Sequence, residues 1–159
     1  MKKIFFLAVS IIFLTSCTTA NKQLSYKEWS SSTTREYAGI SNNQFFLAVE
    51  KLFLLDYGNE LSLKRMNETI FAKRNRVTRT GWWIFKSTNY HVDSWRINIS
   101  PTKDGTKITI QANYALSAGK PIPDSVMMPG MPVHNTEIYD QFWVKLDYLL
   151  KNNDNTNNL

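Results

Sequence analysis

Few side chains in this chain could catalyse a reaction. It has two histidines, His91 and His134, and one cysteine, Cys17. On an extended segment His91 and Asp93 point to one face and Ser94 to the other, so the three do not assemble a catalytic triad. The chain also has no glycine-rich phosphate loop. We therefore expect a protein without enzymatic activity and without a cofactor.

A methionine-rich segment offers a different donor chemistry. Residues 119–134 hold four of the five prolines. The potential metal ligands in this segment are Met127, Met128, Met131 and His134. Thioether sulfur and imidazole nitrogen suit cuprous copper, whereas zinc would need three or four His, Cys or carboxylate ligands. Two interpretations stay open: a periplasmic site for cuprous copper or a small ligand, or methionines that pack on the rim of a sheet as an adaptable contact surface.

The single cysteine ends a secretory pattern. Two lysines precede an apolar stretch over residues 4–14, which is too short to span a bilayer as a helix. The last residues of the pattern are Leu14, Thr15, Ser16 and Cys17. The whole arrangement resembles the lipobox signal of bacterial lipoproteins. The resemblance implies lipid transfer to the Cys17 thiol, removal of residues 1–16 as a signal peptide, and membrane anchoring through two or three acyl chains.

A lipid anchor would place the protein in the cell envelope. Thr18 rather than an aspartate follows the cysteine, and by resemblance to the sorting rule of enteric bacteria this favours the outer membrane, with the domain facing the periplasm. An exported lipoprotein seldom meets nucleic acid, so we expect no nucleic-acid partner. The alternative is an ordinary secreted protein with a chance cysteine at its cleavage site.

The formal net charge of the whole chain is +6, and positive charge is concentrated in its middle. Residues 64–86 contain one acid, Glu68. Their basic residues are Lys64, Arg65, Lys73, Arg74, Arg76, Arg79 and Lys86. Such a segment could face anionic lipid headgroups, lipopolysaccharide phosphates or an acidic protein. In the alternative interpretation, these charges only keep strand edges from pairing with other chains.

An aromatic cluster follows the last of these arginines. If residues 81–85 lie on a strand, their side chains alternate between two faces, and one of Trp82 and Trp83 points away from the core. Large apolar groups on an open sheet face form a contact patch. The hypothesis is a partner surface, for an envelope protein or an anionic surface, made of Arg74, Arg76, Arg79, Trp82 and Trp83. In the alternative, the segment that carries Tyr26 and Trp29 covers the indoles, or a bulge at Gly81 turns both inward.

Composition divides the remainder of the chain. Residues 17–34 are rich in small and polar types with little periodicity, which predicts the lipidated cysteine and a tether. Residues 35–151 are predicted to form one globular domain. Residues 152–159, with five asparagines, are predicted to form a disordered tail.

Two amphipathic helices are predicted towards the ends of this domain. Ser41 and Gln44 fit a capping box, apolar residues follow at helical spacing, and Gly58 can end the helix in a left-handed conformation. The second helix begins after a cap at Asn135 or Thr136. Its apolar stripe consists of Ile138, Tyr139, Phe142, Trp143, Leu146, Leu149 and Leu150.

Between the helices, apolar residues alternate at period two. The clearest strand covers residues 106–116, and a turn at residues 103–105 connects it to a strand around residues 95–99. Three further strands are predicted at residues 60–65, 69–74 and 77–86. The fold class is therefore α+β, with two helices packed on one face of an antiparallel sheet of about five strands.

This layout resembles the helix-grip domains of envelope lipoproteins, such as those of the C subunit lipoprotein of the β-barrel assembly machinery. The resemblance covers about residues 42–151 and rests on the order of elements, so it assigns no functional residue. The layout leaves the sheet face of Thr109, Gln111 and Asn113 in water. The working hypothesis is a membrane-anchored, non-enzymatic binding or assembly module that acts through its basic, Trp-bearing sheet.

Replacing the cysteine tests the anchor. A serine hydroxyl does not replace the thiol as the acceptor of the lipid, so the Cys17→Ser precursor should stay unlipidated and should be released or mislocalised. Fractionation of cells that express either the variant or the native chain measures this. Membrane association equal to that of the native chain would contradict the anchor.

Overall fold

The computed structural model describes residues 25–82 and 86–156. The helices within these ranges are α1 (Tyr26–Thr33), α2 (Asn42–Tyr57) and α3 (Thr136–Thr156). The strands are β1 (Thr34–Ala38), β2 (Leu61–Met66), β3 (Thr69–Thr80), β4 (Ser87–Pro101), β5 (Gly105–Ala118) and β6 (Met131–Pro132). The predicted α+β fold class is confirmed. None of these described helices is long and apolar enough to cross a membrane.

All of these strands join one antiparallel sheet. The order across it is β1, β5, β4, β3 and β2, and β6 pairs with β5 beyond the end of β1. In the register, Ile97 of β4 lies between Ile70 of β3 and Ile110 of β5. Residues that are directly opposite each other point to the same face of a sheet. The apolar positions of the three central strands therefore form continuous rows.

The sequence places one strand boundary where there is none. It predicts separate strands at residues 69–74 and 77–86, whereas the structure has the single strand β3, which ends at Thr80. Asn75 and Arg76 continue the pairing with β4. The prediction was wrong because a polar pair without Gly or Pro does not force a turn. The turn that does form, between β2 and β3, has Asn67 at a φ of +52°.

α2 begins and ends as predicted. The Ser41 hydroxyl accepts a hydrogen bond from the N–H of Gln44, and the Gln44 side chain accepts one from the N–H of Ser41 at 2.9 Å. Gly58 follows the helix with a φ of +55°, and its N–H donates to the carbonyl of Leu54. The buried residues of α2 are Phe45, Phe46, Ala48, Val49, Leu52 and Phe53.

α3 confirms the second predicted helix. Its first turn is capped by Asn135, whose side chain accepts a hydrogen bond from the N–H of Glu137 at 2.9 Å. The stripe from Tyr139 to Leu150 is buried. The helix continues to Thr156, whereas the asparagine-rich composition predicts a disordered tail from residue 152. Extending an existing helix requires no new nucleation, so residues of modest propensity can still add turns to it.

Both α2 and α3 pack on one face of the sheet, as predicted. The strand residues of this core are Ile70, Ala72, Trp95, Ile97, Ile99, Ile108, Ile110 and Ala112. Further along the same face, polar residues replace them, with Arg74 opposite Asp93 and Asp93 opposite Tyr114. The helices therefore cover only one half of the long strands, and the other half projects beyond the helix layer.

The described part of the segment predicted to be a tether, residues 25–34, folds onto the domain. A capping box of Ser25 and Glu28 starts α1. The indole N–H of Trp143 in α3 donates to the carbonyl of Ser32 at 2.7 Å. Residues 25–34, the described part of the predicted tether of residues 17–34, therefore belong to the folded domain. Ser and Thr are poor helix formers, so tertiary contacts rather than propensity hold this short helix in place.

β1 joins the edge of the sheet next to α1. Thr34 lies opposite Thr109 of β5. Arg35 and Tyr37 donate to the two carboxylate oxygens of Asp147 in α3, at 3.0 and 2.6 Å. Burial, followed by the hydrogen bond to Asp147, raises the pKa of Tyr37, so this phenol stays protonated and keeps donating. The edge strand is thus attached to both the sheet and the helix layer.

The connection from β5 to α3 crosses the sheet face opposite the helices. On this face the buried Lys73 donates from Nζ to the carbonyl of Pro123 at 3.0 Å and to the carboxylate of Asp124 at 3.3 Å. Asn113 is buried and Gln111 is half-buried on the same face. The prediction that this face lies in water was wrong at Asn113, because β6 pairs directly beside it.

Truncating Trp143 tests the packing of α3. The side chain is fully buried, so Trp143→Ala leaves a cavity and an unpaired carbonyl, and it should lower the free energy of unfolding by about 3 to 5 kcal/mol. The neighbouring Val144→Ala, at an exposed position, should change it by less than about 0.5 kcal/mol. Urea denaturation measures both. Equal midpoints for the two variants would contradict the packing.

Candidate functional site

His91 is held by structural hydrogen bonds. Its Nε2 bonds to the Thr78 hydroxyl and its Nδ1 to the Tyr114 hydroxyl, both at 2.7 Å. Asp93 points to the same face, but it binds Arg76 instead of the imidazole. Within residues 25–82 and 86–156, no three His, Cys, Asp or Glu side chains come together as a metal site. These contacts bind strands β3, β4 and β5 to one another.

Two of the predicted partner-binding arginines pair with carboxylates of the chain itself. Arg74 donates from Nε and Nη2 to Glu60 at 3.0 and 2.8 Å, and its guanidinium lies 5.1 Å from the centroid of the Tyr57 ring. Arg76 donates to the two oxygens of Asp93 at 3.0 and 3.1 Å. These pairs neutralise part of the basic segment, because strand pairing brings in acids from distant parts of the sequence.

The described residues of the predicted partner surface do not share one face. Side chains alternate along β3, so Arg74 and Arg76 point to the helix side and Arg79 to the opposite side. Trp82 is 86 % exposed and lies beyond the end of β3, in the connection to β4 rather than on the sheet. Trp83 lies outside the described residues. The basic strands therefore present separate groups, not a single surface.

The methionine-rich segment places its potential ligands in different surroundings. Met127 and Met128 are half-buried, whereas Met131 is 80 % exposed in β6. His134 stacks at a tilt against Trp29, with 5.1 Å between the ring centroids. The cuprous copper site stays a prediction.

Gly130 lets β6 approach β5. A Cβ at this position would collide with the carbonyl oxygen of Tyr114, and the φ of +80° also favours glycine. The close approach brings Pro132 opposite Asn113 in the sheet. The segment that follows β6 is thereby held beside α1.

This arrangement encloses a cleft of about 270 Å³, which we call the Trp29 cleft. The cleft lies between α1, the helix-free face of β4 and β5, and the segment after β6. Its principal lining residues are Trp29, Arg96, Asn98, Thr109, Gln111 and His134. The cleft was not predicted from the sequence, because residues 17–34, which include Trp29, were predicted to form a tether. The cleft could have been predicted from the polar residues at alternate positions of the two adjacent strands β4 and β5.

A second concave surface lies on the opposite side of the molecule. An apolar groove of about 350 Å³ runs between the outer surfaces of α2 and α3, and we call it the helix groove. Leu55, Val144 and Tyr148 line it and are 69, 68 and 67 % exposed. Within it, Lys145 forms a salt bridge with Asp56 at 2.6 Å.

The helix groove was not predicted from the sequence either. Besides its buried stripe, α2 carries Leu47, Leu54 and Leu55 on exposed positions. The groove could have been predicted from the apolar residues around the whole circumference of α2. A surface helix normally has a polar outer face.

Comparison with known proteins adds one match. Residues 1–18 match the prokaryotic membrane lipoprotein lipid attachment site. This match supports the lipobox interpretation, and with it a signal peptide and lipid anchoring to a membrane of the cell envelope at Cys17, which lies outside the described residues. No curated protein and no solved structure matches the chain. The resemblance to the β-barrel assembly machinery lipoprotein therefore gains no support.

The different surroundings of the arginines predict different effects of charge reversal. Arg76→Glu removes the ion pair with Asp93 and places a second carboxylate diagonally across β3 and β4 from it, so the free energy of unfolding should fall by about 1 kcal/mol. Arg79 is exposed and pairs with no described acid, so Arg79→Glu should change it by less than about 0.5 kcal/mol. Urea denaturation compares them. A larger cost at Arg79 than at Arg76 would refute this assignment.

Proposed function

We propose that this protein is a non-enzymatic binding or assembly module, anchored by lipid in the outer membrane and facing the periplasm. Its helix groove would dock an amphipathic helix of an envelope protein. The observation that carries this proposal is the exposure of three large apolar side chains, Leu55, Val144 and Tyr148, around one groove.

Burial of these side chains provides the driving force for docking. Each square ångström of apolar surface removed from water contributes about 25 cal/mol. Contiguous apolar patches larger than a few hundred Å² are uncommon on monomeric soluble proteins and mark interaction sites. The groove surface is therefore better explained by a partner than by the stability of the isolated domain.

The shape of the groove favours a helix as the occupant. α2 and α3 run antiparallel. Phe53 in the last part of α2 packs on Phe142 in the first part of α3, whereas Phe45 at the start of α2 packs on Tyr37, which donates to Asp147 further along α3. A groove between two antiparallel helices accepts the apolar stripe of a third helix, with side chains at helical spacing as anchors. Lys145 and Asp56 form a salt bridge with each other. The partner helix therefore needs no charged residue where it packs on this pair.

Charges one helical turn from the groove residues indicate the polar part of the partner helix, because Lys51 lies one turn before Leu55 and Lys151 one turn after Tyr148. Lys51 on α2 and Lys151 on α3 are exposed, and neither pairs with an acid among the described residues. Acidic residues that flank the apolar stripe of the partner would meet these lysines. Such flanking charges contribute more to association rate and selectivity than to affinity.

The short link to the anchor restricts where the partner can lie. The chain from Cys17 to Tyr26 has nine peptide units and can span at most about 30 Å, whatever its conformation. Thr18 after the cysteine favours the outer membrane by the sorting rule. A partner that reaches the groove must therefore itself lie close to the membrane surface.

A charge placed in the groove tests the proposal. In Val144→Glu a carboxylate occupies the centre of the apolar surface, so a partner helix can no longer bury it without desolvating the charge. Crosslinking in the native cells followed by purification should capture an envelope protein with the native chain and lose it with this variant. Mapping the crosslinked peptide should place an amphipathic helix with acidic flanks at the contact.

Leu116→Glu is the matched control. Leu116 is an exposed leucine of β5, away from the groove, so the same change of charge should leave capture intact. Both variants should keep their thermal midpoints, because the two positions are exposed. Capture that survives in Val144→Glu, no captured partner at all, or capture of only a second copy of this chain would each refute the proposed docking.

A further inference from the structure

We infer that the Trp29 cleft binds a small acidic saccharide, that is, a sugar ring that carries a carboxylate. The cleft is formed by α1, the helix-free face of the sheet and the segment after β6. The helix groove is formed by the outer surfaces of α2 and α3. The two sites share no lining residue, so this inference does not rest on the proposed docking function.

Arg96 provides a positive charge that the described chain does not neutralise. Among the described residues its guanidinium makes one hydrogen bond, from Nη2 to the side-chain oxygen of Gln111 at 2.6 Å. No described carboxylate forms a salt bridge with it, in contrast to Arg74 and Arg76. A guanidinium has five N–H donors in a planar fork, so Arg96 retains donors for a bidentate bond to a ligand carboxylate.

The neighbouring amides are held in place by bonds outside the cleft. The Gln111 amide donates to the side chain of Asn113 at 3.0 Å. The Asn98 carbonyl oxygen accepts from the Thr69 hydroxyl at 2.9 Å, and no described residue accepts from the Asn98 amide. The cleft therefore offers a preoriented amide donor next to the guanidinium. Sugar hydroxyl and ring oxygens can accept from such a donor.

Trp29 supplies an apolar surface beside these donors. Its indole is half-buried, and the Tyr139 ring fixes it from the core side, with 5.2 Å between centroids and an interplanar angle of 84°. His134 leans against the same indole. The C–H groups on one face of a sugar ring pack on such an aromatic surface, while the hydroxyls at its rim remain free for hydrogen bonds. An inorganic anion has no apolar face that would use the indole.

The size and polarity of the cleft restrict the ligand further. A volume of about 270 Å³ is just below the usual range of about 300 to 1,000 Å³ for small-molecule sites, which suits a single ring. The groups left without partners are chiefly donors, so the ligand must be rich in acceptors. A sugar acid meets both conditions, because it combines hydroxyls and a carboxylate on one ring.

A titration of the full chain, purified in detergent, tests this inference. The probes are glucuronate, glucose as the neutral match with a hydroxymethyl group in place of the carboxylate, and inorganic phosphate as an anion without a ring. Nuclear magnetic resonance would follow the indole N–H signals. We expect glucuronate to shift the Trp29 signal and to bind at least tenfold more tightly than glucose or phosphate.

Variants separate the roles within the cleft. Arg96→Gln keeps a planar polar group but removes the charge, so it should weaken glucuronate at least tenfold and leave glucose unchanged. Arg79→Gln is the matched control, because Arg79 is exposed on the same sheet face near the far end of β3. It should bind glucuronate like the native chain.

Several results would overturn the inference. They are no shift of the Trp29 signal, equal affinity for glucuronate and either comparison probe, and unchanged glucuronate binding in Arg96→Gln. Val144→Glu should retain glucuronate binding. The same set of proteins therefore distinguishes a failure of the proposed helix docking from a failure of the proposed saccharide binding.

Discussion

The indole of Trp143 is the contact on which the rest of the structure depends. A buried indole needs an acceptor for its N–H, and no neighbour in α3 can provide one because helical carbonyls are already bonded. The carbonyl of Ser32 in α1 provides it at 2.7 Å. Arg35 of β1 lies 5.0 Å from the centroid of the same ring. One side chain therefore joins α1, β1 and α3.

Both candidate sites exist because the sheet is longer than the layer formed by α2 and α3. The central strands are longer than the stretch that α2 and α3 cover, so the chain after β5 is free to cross the opposite face and form β6. With α1 fixed by Trp143, this crossing encloses the Trp29 cleft. On the other side α2 and α3 form the outer layer, and no other described element covers the apolar residues on their outer surfaces. The helix groove is the result.

The candidate site residues could be predicted from the sequence only in part. The sequence locates an excess of basic residues, and the exposed Trp82 is among its candidates. It cannot show that Arg74 meets Glu60 and Arg76 meets Asp93, because those acids come from other elements and arrive by strand register. Arg96, which no described acid neutralises, lies outside the segment that charge density singles out. Net charge counts residues, whereas a binding site depends on which charges remain unpaired after folding.

By itself, the sequence determined the features that are local. The lipid attachment pattern, the capping box of α2, the apolar stripe of α3 and the alternation of β5 each depend on residues within one or two turns or on one strand. Only the tertiary structure decided the rest. α1 has weak propensity and forms through contact with Trp143, β3 continues through a polar pair because β4 lies beside it, and Asn113 is buried because β6 returns to β5. Each of these depends on contacts between residues far apart in the chain, and such contacts exist only after the sheet and helices have assembled.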